Sequence, residues 1–572
     1  MSSNCSAPEN INVDIGFFLC IMAGMFVRVK TKSNGKKAIQ IVESYRRADK
    51  VSQRIVRHLG QAVTDREVEQ MMSLAQSIID EMKEQRQPVL PLLDPVKIVK
   101  KSAESKPSNA SVKIKNLREE QRIINGIGEV FGKLYKDMRL SNLITGTRKN
   151  VQWNTVLESC VLARLANPVS KRRTASLLER DFGIKIPLEK IYRMMDHVAA
   201  REEDIKKSIA SSTQALFAQE VDVLFFDVTT LYFESFEPDE LRSSGFSKDA
   251  KFKETQVVLA LVTTSKGLPI TYKLFPGKTY EGGTLVEVVR ELKKEYNIKN
   301  VLMVADRGMF NKKNLCAMDD EGVNYIVGAK LKTLPKTLKN EILDADYNIE
   351  AVKICSDAHA VNEFEHEGRR LIVGHSKKRA KKDAADRQRL IDRLLKKQKK
   401  NKIKISDLIS NYGTKKYITV EKGSASVNES KIEDDARWDG IAGVITNHKD
   451  KKADEILSRY RELWQIEEAF RISKHDLRMR PIYHWTENRI KAHISICFIT
   501  LALAKQAVYR VGLQQEPMSF EQIRNELLHA QSSIVVDIST QKRFIIPSHV
   551  TVNQKKLYHV FGLKRSEIPT EL

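Results

Sequence analysis

Three carboxylates stand out by their surroundings. Asp227 follows the apolar run Val223-Leu224-Phe225-Phe226, and Asp306 follows Leu302-Met303-Val304-Ala305. An acid directly after such a run sits where a sheet edge opens into a cleft, although Asp there also serves as an ordinary turn cap. Glu467 lies in Tyr460-Arg461-Glu462-Leu463-Trp464-Gln465-Ile466-Glu467-Glu468-Ala469-Phe470-Arg471-Ile472-Ser473-Lys474, a stretch of good helix formers without Pro or Gly. At about 100° per residue, Tyr460, Leu463, Trp464, Glu467, Phe470, Arg471 and Lys474 share one face, so Glu467 interrupts an aromatic and aliphatic stripe. A carboxylate there needs compensation. A metal ion, an ion pair with Arg471 one turn on, or exposure at the edge of the stripe would each supply it. Together, two strand-end aspartates and a helix glutamate can hold Mg²⁺ (or Mn²⁺), which activates an attacking oxygen and stabilises a leaving oxygen at a phosphodiester. Hard oxygen donors without accompanying His or Cys favour these ions over Zn²⁺. Asp222, on the other side of the apolar run, and Glu468, rotated about 100° from Glu467, are the alternative carboxylates.

The charge balance agrees with a polyanionic partner. The chain has 97 Lys and Arg against 73 Asp and Glu, a net charge of +24, and such a surplus is rewarded by phosphate neutralisation and counterion release. A basic surface without functional role, anionic membrane and structural RNA are the competing explanations. The six cysteines form no CxxC pair, and His475, His484 and His493 are evenly spaced without a metal-site pattern. This excludes a disulfide framework and suits a reducing cytoplasm. The apolar runs at 15–27 and 494–504 are too short to span a bilayer, so the second is expected as a buried helix and no membrane partner is expected.

The elements that must position the carboxylates follow in order. Residues 1–24 read as a disordered or non-native leader, and 25–84 as a small α+β module. Within that module strands are expected at 26–30, 38–42 and 52–59 and a helix at 65–83. Residues 85–115 are Pro-, Ser- and Lys-rich and read as a linker. Helices at 117–136, 154–165, 175–182 and 187–200, with Lys and Arg at the joints, give a helical, helix-turn-helix-like DNA-binding region over 116–215. Plain helical packing is its alternative. Strands at 221–226, 256–264 and 269–275, then alternating helices and strands to 327, give the first part of an α/β core over 216–330. That order is also the order of an RNase H-like fold. Shorter strands at 363–373, 416–421 and 440–445 flank a very basic helix at 377–404, and mark 331–445 as an inserted subdomain. The second part of the core is 446–515, and a carboxy-terminal tail follows at 516–572.

The segment Tyr460-x2-Leu463-x3-Glu467-x6-Lys474 resembles the Y-x2-R-x3-E-x6-K signature of bacterial insertion-sequence DDE transposases of the IS-four type, with Leu463 where the signature has Arg. Phe226-Asp227-Val228-Thr229 and Val304-Ala305-Asp306-Arg307-Gly308-Met309 resemble the family's first and second aspartate motifs. Phe246-Ser247-Lys248-Asp249, Gly267-Leu268-Pro269-Ile270 and Lys377-Lys378-Arg379-Ala380-Lys381-Lys382-Asp383 resemble its longer-element branch. The resemblance implies an RNase H-like core interrupted by a mainly β insertion domain, with Asp227, Asp306 and Glu467 as catalytic metal ligands. It implies phosphate contacts from Tyr460 and Lys474, with Arg471 beside them. Trp438 of the insertion becomes a candidate stacking platform for an unpaired base, or else an ordinary core tryptophan. The implied activity is metal-dependent cleavage at insertion-sequence ends and 3′-hydroxyl strand transfer into target DNA. The implied protein is cytoplasmic and nucleoid-associated, and acts as a homodimer on terminal inverted repeats and target DNA. A nuclease of the same fold without strand transfer, and a DNA-binding protein without activity, are the two rivals.

Overall fold

The structure is a computed structural model of the 572-residue chain. It describes residues 25–31, 37–47, 50–62, scattered positions from 68 to 79, 113–144, 151–216, 223–234, 237–243, 254–279, 284–296, 302–347, 359–399, 415–421 and 424–572. The leader at 1–24, most of the linker at 85–115, Asp222 and the 246–249 motif lie outside the described residues.

The chain forms two compact units, residues 1–100 and 101–572. In the first, β1 (Met25–Thr31), β2 (Lys37–Arg47) and β3 (Lys50–Ala62) make an antiparallel sheet in that order. Alternation along β2 sends Ile39 and Ile41 into a small core with Ala62, Ala75 and Ile79. The second and third strands are longer than their apolar runs suggest, because β2 and β3 pair with each other along their whole length.

The second unit opens with β4 (Leu117–Ile124) and α1 (Gly126–Asp137). A single helix over 117–136 is therefore corrected: its first half, Leu117-Arg118-Glu119-Glu120-Gln121-Arg122, is a strand. Helix-favouring side chains are overridden there by pairing with a distant strand near the carboxy terminus. Next come α2 (Val151–Ala166), α3 (Lys171–Phe182), α4 (Leu188–Ala199) and α5 (Glu202–Ala215). The Ser170 hydroxyl caps α3 by accepting from the Arg173 amide, and Gly183, at φ +68°, ends it in the left-handed conformation.

The central sheet has eight strands: β5 (Val223–Tyr232), β6 (Gln256–Thr264), β7 (Pro269–Pro276), β8 (Leu302–Ala305), β9 (Asn324–Gly328), β10 (His359–His366), β11 (Arg369–Ser376) and β14 (Ile441–Thr446). Their spatial order is β10-β11-β14-β9-β8-β5-β6-β7. Strands β5, β6 and β7 are antiparallel, and β8 and β9 run parallel to β5. On one face lie α6 (Thr284–Tyr296) and α7 (Lys312–Asp320), which pack Leu285, Val288, Leu315 and Met318 against Leu224, Phe226, Met303 and Ala305. Helix α8 (Lys336–Asp344) packs beside β11.

Three expectations change here. The strand bearing Asp227 does not stop at it but continues to Tyr232, because Val228-Thr229-Thr230-Leu231-Tyr232 is β-forming and stays paired with β6. Residues 363–373 are a hairpin, β10 to β11, turned at Glu367 (φ +52°) and Gly368 (φ +73°). Strands β10, β11 and β14 belong to the central sheet, so 331–445 is not a separate β subdomain. What stands between β11 and β14 is α9 (Lys377–Lys399), the small hairpin β12 (Ile418–Glu421) and β13 (Ser424–Val427), and α10 (Glu429–Ala436).

The other sheet face is covered by α11 (Ala453–Arg461), α12 (Trp464–Arg471) and α13 (Glu487–Gln514). Helix α13 is long and apolar enough to cross a membrane by length and composition, yet 83% of its most apolar window is buried inside the protein. It forms the spine against which α2, α4 and α5 pack. The carboxy-terminal residues are folded, which corrects the reading of 516–572 as a tail. They form α14 (Phe520–His529), β15 (Gln531–Asp537), β16 (Arg543–Pro547), α15 (Val552–Val560) and β17 (Thr570–Glu571). Strands β17, β16 and β15 join β4 in a four-stranded sheet.

Candidate active site

Register and alternation bring the two aspartates together. Phe226 of β5 pairs with Ala305 of β8 in parallel register, so Asp227 and Asp306 are the next positions on neighbouring strands. Val223, Phe225 and Leu231 of β5, and Leu302 and Val304 of β8, contribute to the core that includes α12 and α13. A period of two assigns Asp227 and Asp306 to that same sheet face. Asp227 is partly buried, and its Oδ1 accepts from the Val228 amide at 2.7 Å. Asp306 is exposed at the end of β8.

The helix carrying Glu467 differs from the continuous one expected. Helix α11 ends at Arg461, the chain bends at Glu462-Leu463, and α12 starts at Trp464. A wide helical turn then runs over Ile472–Asp476. The buried face is Leu463, Ile466, Ala469 and Phe470, whereas Trp464, Glu467 and Arg471 are exposed. Glu467 is thus not set in a core-facing stripe, and its desolvation is not at issue. Nor does it pair with Arg471, which reaches Asp476 at 3.4 Å. The neighbouring Glu468 is the anchored one: its Oε2 accepts from the buried Lys505 ammonium at 2.6 Å.

Asp306, Glu467 and Tyr460 line one open cleft of about 780 Å³, together with Trp464 and the first turns of α9. The Tyr460 hydroxyl donates to Asp306 Oδ1 at 3.4 Å, a long contact. Burial, followed by the Asp306 charge, pushes the Tyr460 phenol well above its ordinary range, so it stays a donor. The ring needs Gly328 beneath it, since a Cβ there would fall 2.2 Å from the hydroxyl. Nothing at sequence level marks that glycine. An adjoining cavity of about 600 Å³ shares Tyr460 and Arg379 and is lined by Trp438, Tyr417 and Arg307. Trp438 is partly buried against the small core that includes Leu334 and Leu371 while Lys332 lies over its ring at 6.0 Å, so it is at once a core residue and a cavity wall. Lys474 lies over the Phe470 ring at 5.6 Å. Neither it nor Arg471 lines the cleft or the cavity described here.

The donor chemistry suits a hard divalent cation. The Glu467 carboxylate makes no hydrogen bond or ion pair among the described residues, and the Asp306 carboxylate has only its long contact with Tyr460. Among the described residues, however, no group of three His, Cys, Asp or Glu side chains is close enough to hold an ion as the side chains stand.

Residues 219–503 match the family model described as a transposase DDE domain, and residues 26–89 match that of the IS1634 family transposase N-terminal domain. The chain belongs to the bacterial insertion-sequence DDE transposases. It is an enzyme that acts on DNA, a DNA transposase. A search of curated proteins returns no match. This transposase is similar to a cryo-EM structure of the piggyBac transposase synaptic complex with hairpin DNA over 71% of its own chain and 78% of that one, at 9% identity and a TM-score of 0.37. It is similar to the Mos1 transposase paired-end complex with the left transposon end over 30% of its own chain and 57% of that one, at 12% identity and a TM-score of 0.14.

Proposed function

We propose that this transposase cleaves DNA at the ends of its insertion sequence and joins the freed 3′-hydroxyls to target DNA, with Asp227, Asp306 and Glu467 as the catalytic, metal-binding carboxylates. The observation that carries this reading is the sharing of one cleft by Asp306 and Glu467, with Asp227 at the adjacent register of the same sheet face. The strand order β7-β6-β5-β8-β9, three antiparallel strands followed by two parallel ones, supports an RNase H-like core. The spacing from Tyr460 to Lys474 supports the IS-four type branch, with the segment between β11 and β14 as its insertion.

Mg²⁺ or Mn²⁺ would be held by Asp227, Asp306 and Glu467 once their side chains close on it, and would supply Lewis acidity at the phosphodiester oxygens. The chain's own groups orient and exclude. Tyr460 fixes the Asp306 carboxylate from one side, and its protonated hydroxyl is unsuited to act as a nucleophile. Glu468, tied to Lys505, holds α12 on the core so that Glu467 keeps its aim into the cleft. Trp438 offers an aromatic wall to an unpaired base in the adjoining cavity, and Lys474 and Arg471 contact phosphate flanking the cleft. The helical region before β5 binds the terminal inverted repeats. A homodimer in the cytoplasm, associated with the nucleoid, holds two ends.

A product assay tests the reading. Purified protein, a duplex ending in the element's terminal repeat, target plasmid and Mg²⁺ are expected to give end-joined plasmid. Cleavage without any joined product would identify a nuclease instead.

A further inference from the structure

We propose that Lys378, Arg379 and Lys382 of α9 form a phosphate clamp facing Asp306 and Glu467 across the cleft, an inference that rests on the catalytic reading above. All three cations line that cleft, and Arg379 also pairs with Asp383 of its own helix at 3.6 Å. Lys378 and Lys382 are exposed, one helical turn apart, and make no hydrogen bond or ion pair among the described residues. At i and i+4 their side chains leave the helix on one face, with Cβ atoms about 5–6 Å apart. Two unneutralised ammonium groups thus look across a cavity of about 780 Å³ at two unneutralised carboxylates, with no ion pair closing the gap. An anion of diester size between them would satisfy the cations. Its reacting oxygens would be left toward the carboxylates.

The helix is held firmly enough to act as a wall. Arg387 makes a two-pronged ion pair with Asp439, one arm at 2.6 Å. Asp383 Oδ2 accepts from the Gly440 amide at 3.2 Å. Gly440, at φ +79°, lets α9 lie so close that an added Cβ would come within 2.8 Å of the Ala380 side chain. The Ser376 hydroxyl caps the first turn by accepting from the Arg379 amide at 3.3 Å. A charged helix is ordinarily just a solvated face, but that explanation treats all its lysines alike. Here position divides them: Lys377 and Lys381 are equally exposed and do not line the cleft.

The test compares Lys378→Gln/Lys382→Gln with Lys377→Gln/Lys381→Gln in the full chain, since Gln keeps helix propensity close to that of Lys. Binding to a terminal-repeat duplex is measured in EDTA across a salt series, and single-turnover cleavage is measured with Mg²⁺ at saturating DNA. The cleft-facing pair is expected to lower the slope of log affinity against log salt by about 1.8, two phosphates at 0.9 each, and to slow cleavage at least about tenfold, or 1.4 kcal/mol. The outward pair is expected to leave cleavage unchanged. Equal effects of the two pairs on cleavage, or an unchanged slope for the cleft-facing pair, would overturn the clamp. Failure of the wild-type chain to cleave would instead overturn the catalytic reading, and the slope in EDTA would still decide the clamp.

Discussion

The Tyr460 hydroxyl sits 3.4 Å from Asp306 Oδ1 and directly over Gly328, where a Cβ would approach it to 2.2 Å. The strand end and the α11 helix end are therefore coupled through one ring. Gly328→Ala should displace that ring, destabilise the fold by about 1–3 kcal/mol through overpacking, and reduce cleavage more than Tyr460→Phe does. Because Phe lacks the colliding hydroxyl, the double variant should recover part of the lost stability. Urea denaturation of the four proteins measures the coupling, and strict additivity would show that the ring and the glycine are independent.

Glu467 and Glu468 are neighbours with opposite duties. Glu468→Gln leaves the 3%-exposed Lys505 side chain without its counter-charge and should cost about 2–4 kcal/mol, since stranding a buried charge is expensive even when the partner is partly exposed. Glu467→Gln should stay within about 0.5 kcal/mol of wild type while abolishing cleavage. Thermal denaturation and cleavage assays on the two variants should give inverse rankings.

Leu463 stands where the resembling signature carries Arg, yet its side chain is 7% exposed and belongs to the core beneath α12. Leu463→Arg should therefore destabilise by about 2–5 kcal/mol through lost packing and should not raise activity. A variant as stable as wild type in urea would show that the core can release this position to the cleft.

One buried imidazole, His493, and one half-buried imidazole, His484, predict acid sensitivity. Burial, reinforced by Lys171, Arg489 and Arg164, lowers His484 from 6.5 to about 4. Burial also lowers His493, whose ring lies 5.3 Å from that of His484. Both groups take up protons more readily in the unfolded chain. The stability they contribute is full above about pH 6.5 and is lost as the pH falls below it, for His484 down to about pH 4, by at most about 1.4 kcal/mol per pH unit for each group. His484→Gln should flatten the dependence of unfolding free energy on pH in that window; an unchanged slope would assign it to other groups.

Much of this was legible in the sequence because it is local. The strands β6, β7, β8 and β9 and the helices α2, α6 and α7 follow their apolar periodicity to within a few residues. The chain order of Asp227, Asp306 and Glu467 needed no coordinates. What periodicity cannot report is pairing at a distance. Residues 117–124 have the composition of a helix and become a strand only because β15, over four hundred residues later, supplies an edge. The membership of β10, β11 and β14 in the central sheet is equally non-local. The helix breaks at Glu462-Leu463 with no Pro or Gly to announce it, and the buried face of Leu463, Ile466, Ala469 and Phe470 leaves Glu467 on the open side. Gly328, at the end of β9, carried no signal at all, because its reason is a ring that arrives from α11.

The central claim, that Asp227, Asp306 and Glu467 act together on the scissile phosphodiester, is tested most directly by single-turnover cleavage of terminal-repeat DNA in Mg²⁺. Wild type would be compared with Asp227→Asn, Asp306→Asn and Glu467→Gln, with DNA affinity measured alongside. Each variant should bind DNA at least as well as wild type and cleave at least about a thousandfold more slowly, corresponding to the several kcal/mol that charge stabilisation at the phosphoryl oxygens provides. Wild-type cleavage by any one of the three would contradict its place in the site.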